Sequence, residues 1–338
     1  MKLSIFKSVT VAILSIVSVV SNAQTPHVEY YENGNIKFSG FYDDEGIQVD
    51  KWKLFDENGK LGATAFFIDG KISGEYQEFY ENGQLKSINN YTTYSYKEYY
   101  ENGGLNKEGW YTSEDFSIKA GEWKEYYGTG ELHSKYKFES GEIIGEWVSY
   151  HKNGDFYVNG SYINGKKNGV WRTRHKNGSI SHIEKYENGK EVGEWKSFYE
   201  NGKVRWIRNH VNGLVSGPFE SYFENGNLKG EGEYLNDVYH GEWKWYYNNG
   251  KLLNVGKYNA GDRIGIWKFY YENGKLQEEG EYSDLERLGM WSFYHENGNI
   301  DKKGTFTENK ANGKWSFFHG NGEVKQQGNC TGGLKTGN

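Results

Sequence analysis

Nine histidines, six arginines and one cysteine are the side chains best able to carry chemistry in this chain of 338 residues. Four of the histidines, His151, His175, His295 and His319, share one place in a recurring phrase. It is the second position of a "YY" pair, where other copies put Tyr or Phe. Equivalent positions in adjacent β-hairpins stand two strand spacings apart, about 10 Å. That is too far for two of them to share one metal at roughly 2 Å per bond. These histidines read as substitutes for aromatics. Cys330 also stands where other copies carry an aromatic, and it has no second cysteine to pair with. Neither a metal nor a cofactor is expected.

The arginines are distributed unevenly. Four of the six, Arg172, Arg174, Arg205 and Arg208, fall within 37 residues, together with His175, His182 and Trp206 and just ahead of His210. The phrase is broken there: Arg174 replaces an aromatic and Arg208 replaces a glycine. Arginine and tryptophan are the side chains most enriched at binding hot spots. The candidate partner-binding set is therefore Arg172, Arg174, His175, Arg205, Trp206, Arg208 and His210, facing an acidic protein surface or an anionic glycan. The competing reading is that Glu184 and Glu200 neutralise the stretch locally. Most other carboxylates lie in "YENG" turns or alternating polar positions, where solvation is the default. No P-loop, nucleophile elbow, HExxH or CxxC is present, and "GEGEY" from Gly230 lacks the following helix that a phosphate cradle needs. No catalysis is expected.

What must position these residues is a repeat. The glycine that closes each "YYENG"-like phrase recurs at 34, 59, 83, 103, 130, 154, 178, 202, 226, 250, 274, 298 and 322. The interval is 24 residues throughout from Gly130; before it come 25, 24, 20 and 27. Asn-Gly between strand-forming runs signals a hairpin. A two-residue loop at Asn273-Gly274 pairs Glu272 with Lys275, Tyr271 with Leu276 and Trp267 with Gly280. The same register sets Trp147, Phe219, Trp243, Trp291 and Trp315 opposite Gly160, Gly232, Gly256, Gly304 and Gly328. An indole lying over a cross-strand glycine fills the vacant side-chain space. A three-residue loop with a bulge would instead set Glu279 opposite Trp267. A second turn, "NGKxxG", returns the chain to the next hairpin. The expectation is an all-β chain: an elongated array of about twelve or thirteen antiparallel β-hairpins forming a single twisted sheet or solenoid. The irregular 20- and 27-residue intervals are the expected place for a bend.

Composition agrees with a thin folded sheet. Mean hydropathy is −0.90, yet 17% of residues are aromatic, too many for a disordered chain. The net charge of −6, with both signs interleaved, argues against nucleic acid and disfavours phospholipid as a partner. Residues 1–23 read as a signal peptide. Lys2 and Lys7 precede the apolar run Ser8 to Val20, and small residues Ser21 and Ala23 place cleavage before Gln24. Residues 24–338 then form one repeat domain, exported to the periplasm, the cell surface or the medium, with no transmembrane segment in the mature chain.

The unit "GxWxxYYxNGxLxxxGxYxNGKxxG" resembles the bacterial MORN-repeat variant found in YwqK-like proteins, which are often labelled antitoxins of toxin–antitoxin systems. The resemblance runs from about Tyr30 to Gly337. It implies a non-enzymatic scaffold that binds a protein, a toxin among the candidates. The alternative is a cell-wall or glycan-binding module that stacks sugars on exposed aromatic rows.

Overall fold

The computed structural model describes residues 24–336, so the signal-peptide segment lies outside the described residues. Every regular element among the described residues is a β-strand, twenty-nine of them. The chain divides into two compact units at Gly103–Gly104, inside the irregular intervals. In the first unit, strands from Thr25–Tyr30 to Ser95–Tyr99 pair antiparallel in chain order. In the second, the same meander runs from Leu105–Tyr111 to Leu334–Thr336. Each unit is the antiparallel hairpin array that the repeat predicts.

The far register of each hairpin is the predicted one. Trp267 pairs with Gly280, and Trp147, Phe219, Trp243, Trp291 and Trp315 take their predicted glycines. The turn differs. Tyr271 N–H donates to Lys275 O at 2.8 Å and Gly274 N–H to Tyr271 O at 2.8 Å, which closes a three-residue loop. Only Gly274 carries a positive φ, 90°, as in a type I turn followed by a left-handed residue. Leu276 therefore lies opposite Tyr270, not Tyr271, while Glu278 lies opposite Phe269. Gln277 is the extra residue, a bulge that restores the far register after the longer loop has shifted it. The two offsets cancel.

The two-residue loop belongs to the return turn. Ile163 pairs with Lys166 around Asn164 and Gly165, whose φ values are 49° and 70°. Positive φ at both centres is the primed-turn geometry that suits the twist of the flanking strands. Asp284 and Leu285 take the same conformation, with φ of 49° and 68°.

Trp267 covers a glycine, but one strand earlier than its pairing partner. A Cβ on Gly256 would fall inside the Trp267 ring, and the same relation joins Gly232 to Trp243, Gly280 to Trp291 and Gly304 to Trp315. The cause is a bulge on the other flank. Val255 pairs with Lys268 and Lys257 with Ile264, so Gly256 alone faces three residues of the next strand. The indole folds back over that gap and donates to Lys257 O at 3.3 Å; Trp243 and Trp291 do the same to Glu233 O and Glu281 O. Tyr258 meets the Trp267 ring edge-on at 5.1 Å and 84°, and the Arg263 guanidinium lies 4.6 Å over it. Such ring contacts each add about 1 kcal/mol beyond the area they bury. Glycine, tyrosine and cation together leave Trp267 and Trp291 at 0% exposure; at Trp243, also 0% exposed, Tyr239 takes the place of the cation with its ring at 4.3 Å. No second layer is required to bury them.

Candidate functional site

Two hydrogen-bonded rims hold the hairpins in step. On the hairpin-turn rim, Tyr271 Oη donates to Tyr294 O at 2.6 Å and Tyr247 Oη to Tyr270 O at 2.7 Å, 23 residues ahead. Asn273 Nδ2 reaches Glu296 O and Lys275 Nζ reaches Asn297 O in the next turn. His175 and His295 occupy the tyrosine place, and their Nε2 atoms lie 3.0 and 3.3 Å from Phe198 O and Phe318 O. They make the contact that tyrosine makes elsewhere. His151 Nε2, in the same place one hairpin earlier, is buried and has no partner.

Strand alternation divides the candidate arginines. In Lys166–Arg174, Arg172 and Arg174 lie on the side opposite Trp171. In Val204–Val211, Trp206, Arg208 and His210 share the other side, where Arg208 pairs with Trp195. The Arg208 guanidinium lies 5.6 Å over Trp195 and 4.5 Å over Trp206. It occupies the place of the covered glycine, and the strand after it offers Phe219 instead of tryptophan. His210 is 4% exposed, with its ring 4.3 Å from Trp195. Burial, then the Arg208 charge, hold its pKa below the usual histidine value. Arg208 and His210 are thus interior side chains of the tryptophan face. Arg172 and Arg205 are exposed, and Arg205 leans over Tyr199 at 5.9 Å.

An open groove of about 740 Å³ gathers Arg174, His175, Lys176 and His182 with His151 and Glu200. Arg174 Nη1 donates to Gly178 O at 3.3 Å. His182 lies between Ser181 Oγ at 3.2 Å from Nδ1 and Ser197 Oγ at 3.3 Å from Nε2. Burial lowers its pKa; Glu184 opposes the shift, and His175, Arg205 and Arg208 reinforce it. Glu184 accepts from the Tyr186 hydroxyl at 3.0 Å. Among the described residues, no carboxylate lies within the 4.0 Å ion-pair distance of Arg172, Arg174, Arg205 or Arg208. The sequence placed Arg174 and His175 in this set but not His151, which belongs to the preceding hairpin. Among the described residues, no three His, Cys, Asp or Glu side chains are grouped to hold a metal ion. No helix among them is long and apolar enough to cross a membrane.

The fold defines a class first: a repeat scaffold of β-hairpins, each buried against its neighbours. The MORN repeat variant matches eight segments of the chain, residues 26–44, 72–92, 191–212, 216–236, 239–260, 263–284, 287–308 and 311–329. The chain is a MORN-repeat protein. No curated protein matches it in sequence. Among solved structures, it is similar to a chain of the crystal structure of TcdB2-TccC3-TEV. That match has 11% identity over 87% of this chain and 19% of that one, with a TM-score of 0.17. It is also similar to a chain of the Photorhabdus luminescens Tc holotoxin pore, with 10% identity over 89% and 18% and a TM-score of 0.18. The chain spans about a fifth of the length of these chains.

Proposed function

We propose that the protein is a non-catalytic repeat scaffold that works outside the cytoplasm and binds a partner protein through the basic stretch between Trp171 and His210. One observation carries the reading. On a chain of net charge −6, His151, Arg174, His175, Lys176 and His182 line one open groove against Glu200. Such a surface suits an acidic patch on a protein. The non-catalytic part draws support from His175 and His295, which serve the rim as tyrosines do. Export rests on the amino-terminal apolar run. The resemblance to YwqK-like antitoxins makes a secreted protein toxin the first partner to test.

The test is affinity capture from the exported fraction with the wild-type chain and with an Arg172→Glu, Arg174→Glu, Arg205→Glu triple variant. Arg208 is left intact because it packs between two tryptophans. A partner held stoichiometrically by wild type, released by salt and lost in the variant is the expected result. The same partner held equally by the variant overturns the reading. The alternative, sugars on the Tyr246 and Tyr270 row, would replace it if saturable polysaccharide binding disappeared in Tyr246→Ala and Tyr270→Ala variants. The Tyr246 hydroxyl is already tied to Glu231 Oε1 at 2.7 Å.

A further inference from the structure

On the tryptophan side of the second unit, one hairpin departs from its neighbours in a way that leaves polar groups unspent. Trp245 lies across Gly230, where a Cβ would meet the ring, and beside Trp243 at 5.4 Å and 24°. The ring is half-buried. Around it, Tyr239, Tyr258, Asn254, Lys229 and Arg263 line an open depression of about 420 Å³. The same position holds Phe269 and Phe293 in the two following hairpins, so this one carries the larger platform.

The comparison with the next hairpin is informative. There, Arg287 Nη2 binds both oxygens of Glu278, at 2.9 and 3.1 Å. Here the residue in Glu278's place is Asn254. Arg263 has no carboxylate within ion-pair distance among the described residues. Asn254 Oδ1 accepts no hydrogen bond. The arginine stands in both hairpins, but among the described residues only Arg287 has a carboxylate beside it. A negative charge on a ligand can pair with Arg263 as Glu278 pairs with Arg287.

We propose that this depression binds an acidic sugar residue of a glycan, a pyranose ring bearing a carboxylate. The C–H face of the ring stacks on the Trp245 indole, as apolar ring faces do on aromatics. Its carboxylate pairs with Arg263 in the fork geometry that guanidinium favours, and Lys229 adds a second positive charge. A rotation of the Asn254 amide turns its free oxygen to a ring hydroxyl. A neutral sugar would leave Arg263 without a carboxylate, stacked only on the Trp267 and Tyr282 rings, and an anion without a ring would leave Trp245 uncovered.

The experiment is titration calorimetry of the full chain with three probes. These are a panel of uronate oligosaccharides (galacturonate, mannuronate and glucuronate), maltooligosaccharides of matched length, and polyglutamate. At least one uronate is expected to bind saturably and about tenfold or more tighter than either control. Arg263→Gln and Trp245→Ala should each weaken it by about tenfold or more, and Arg287→Gln should not. Circular dichroism and melting of each variant separate lost binding from lost fold, and Trp245→Phe serves if Trp245→Ala unfolds. Three results would overturn the proposal: no saturable uronate binding, equal binding of polyglutamate or maltooligosaccharide, or uronate binding indifferent to Arg263→Gln. Because the basic groove near Arg174 is intact in these variants, their outcome is independent of the protein-binding test.

Discussion

The indole of Trp267 rests on the main chain of Gly256, one strand back, while its ladder partner on the forward side is Gly280. Each tryptophan thus joins two successive hairpins, and the glycine beneath it is part of the joint. Gly256→Ala would drive a methyl group into a ring that cannot move, a small-to-large change costing about 3 kcal/mol. Gly62→Ala, where the added Cβ meets only Leu54 O at 3.7 Å, is the control and should cost little. Urea unfolding followed by tryptophan fluorescence measures both. Equal midpoints would show that the ring does not depend on the vacancy.

Leu285 holds a φ of 68° in a return turn where most other units place glycine and two place Asp237 and Asn309, and it is 52% exposed. A β-carbon in that region costs about 1 kcal/mol or more, so Leu285→Gly should stabilise by roughly that amount. A rise in the thermal midpoint checks it. A fall would mean that the leucine side chain contributes more by packing than its backbone costs.

The rim bonds can be tested singly. Tyr271→Phe removes the donor to Tyr294 O and leaves a carbonyl unpaired, for a loss of about 1 kcal/mol. His295→Tyr should supply a phenol to Phe318 O and hold stability level or raise it. Denaturant midpoints of the variants and wild type at one fixed pH give the comparison.

His210 sets a pH dependence whose sign can be worked out. Its folded pKa lies below the ordinary value of 6.5, because of burial first and Arg208 second, with Glu191 and Asp237 opposing. Below 6.5 the unfolded chain takes up a proton that the folded chain refuses. Stability is therefore full above about pH 6.5 and falls as pH drops toward the folded pKa. His182 acts with the same sign. His210→Phe, which installs the aromatic usual at this place, should flatten part of the slope between pH 5 and 7, read as midpoint against pH. An unchanged slope would put the titration elsewhere.

Period and far register were legible because Trp267 and Gly280 recur at fixed spacing. The turn types were not, since Asn273-Gly274 and Asn164-Gly165 are the same dipeptide in different loops. Gln277 could not be seen as a bulge because its offset cancels that of the loop. The glycine beneath each indole was misassigned for a related reason: the bulge at Gly256 bends the ring backward, and pairing alone does not report ring direction. In the candidate site, Arg174 and His175 stood out by breaking consensus. Arg208 and His210 stood out equally, yet they fill interior positions of the tryptophan face. Residue type marks a departure from the repeat, and only the side it falls on tells whether a partner can touch it. Asn254 drew no notice, because the difference it makes to its arginine is visible only beside the Glu278–Arg287 pair.

The rim bonds also give the array a direction. Along the hairpin-turn rim of the second unit, the donor always belongs to the earlier hairpin, as in Tyr247 to Tyr270 and Tyr271 to Tyr294. Along the return-turn rim the main-chain bonds to main-chain carbonyls have the later hairpin as donor, as in Gly165 N–H to Ile143 O and Gly189 N–H to Lys167 O. The seams run head to tail in opposite senses, so a hairpin accepts a neighbour in only one orientation. Excising residues 251–274 would bring the Tyr247 hydroxyl to the carbonyl of Tyr294, which is chemically the one it lost. Length is therefore a quantity that duplication or deletion of whole phrases can change freely, while orientation is fixed.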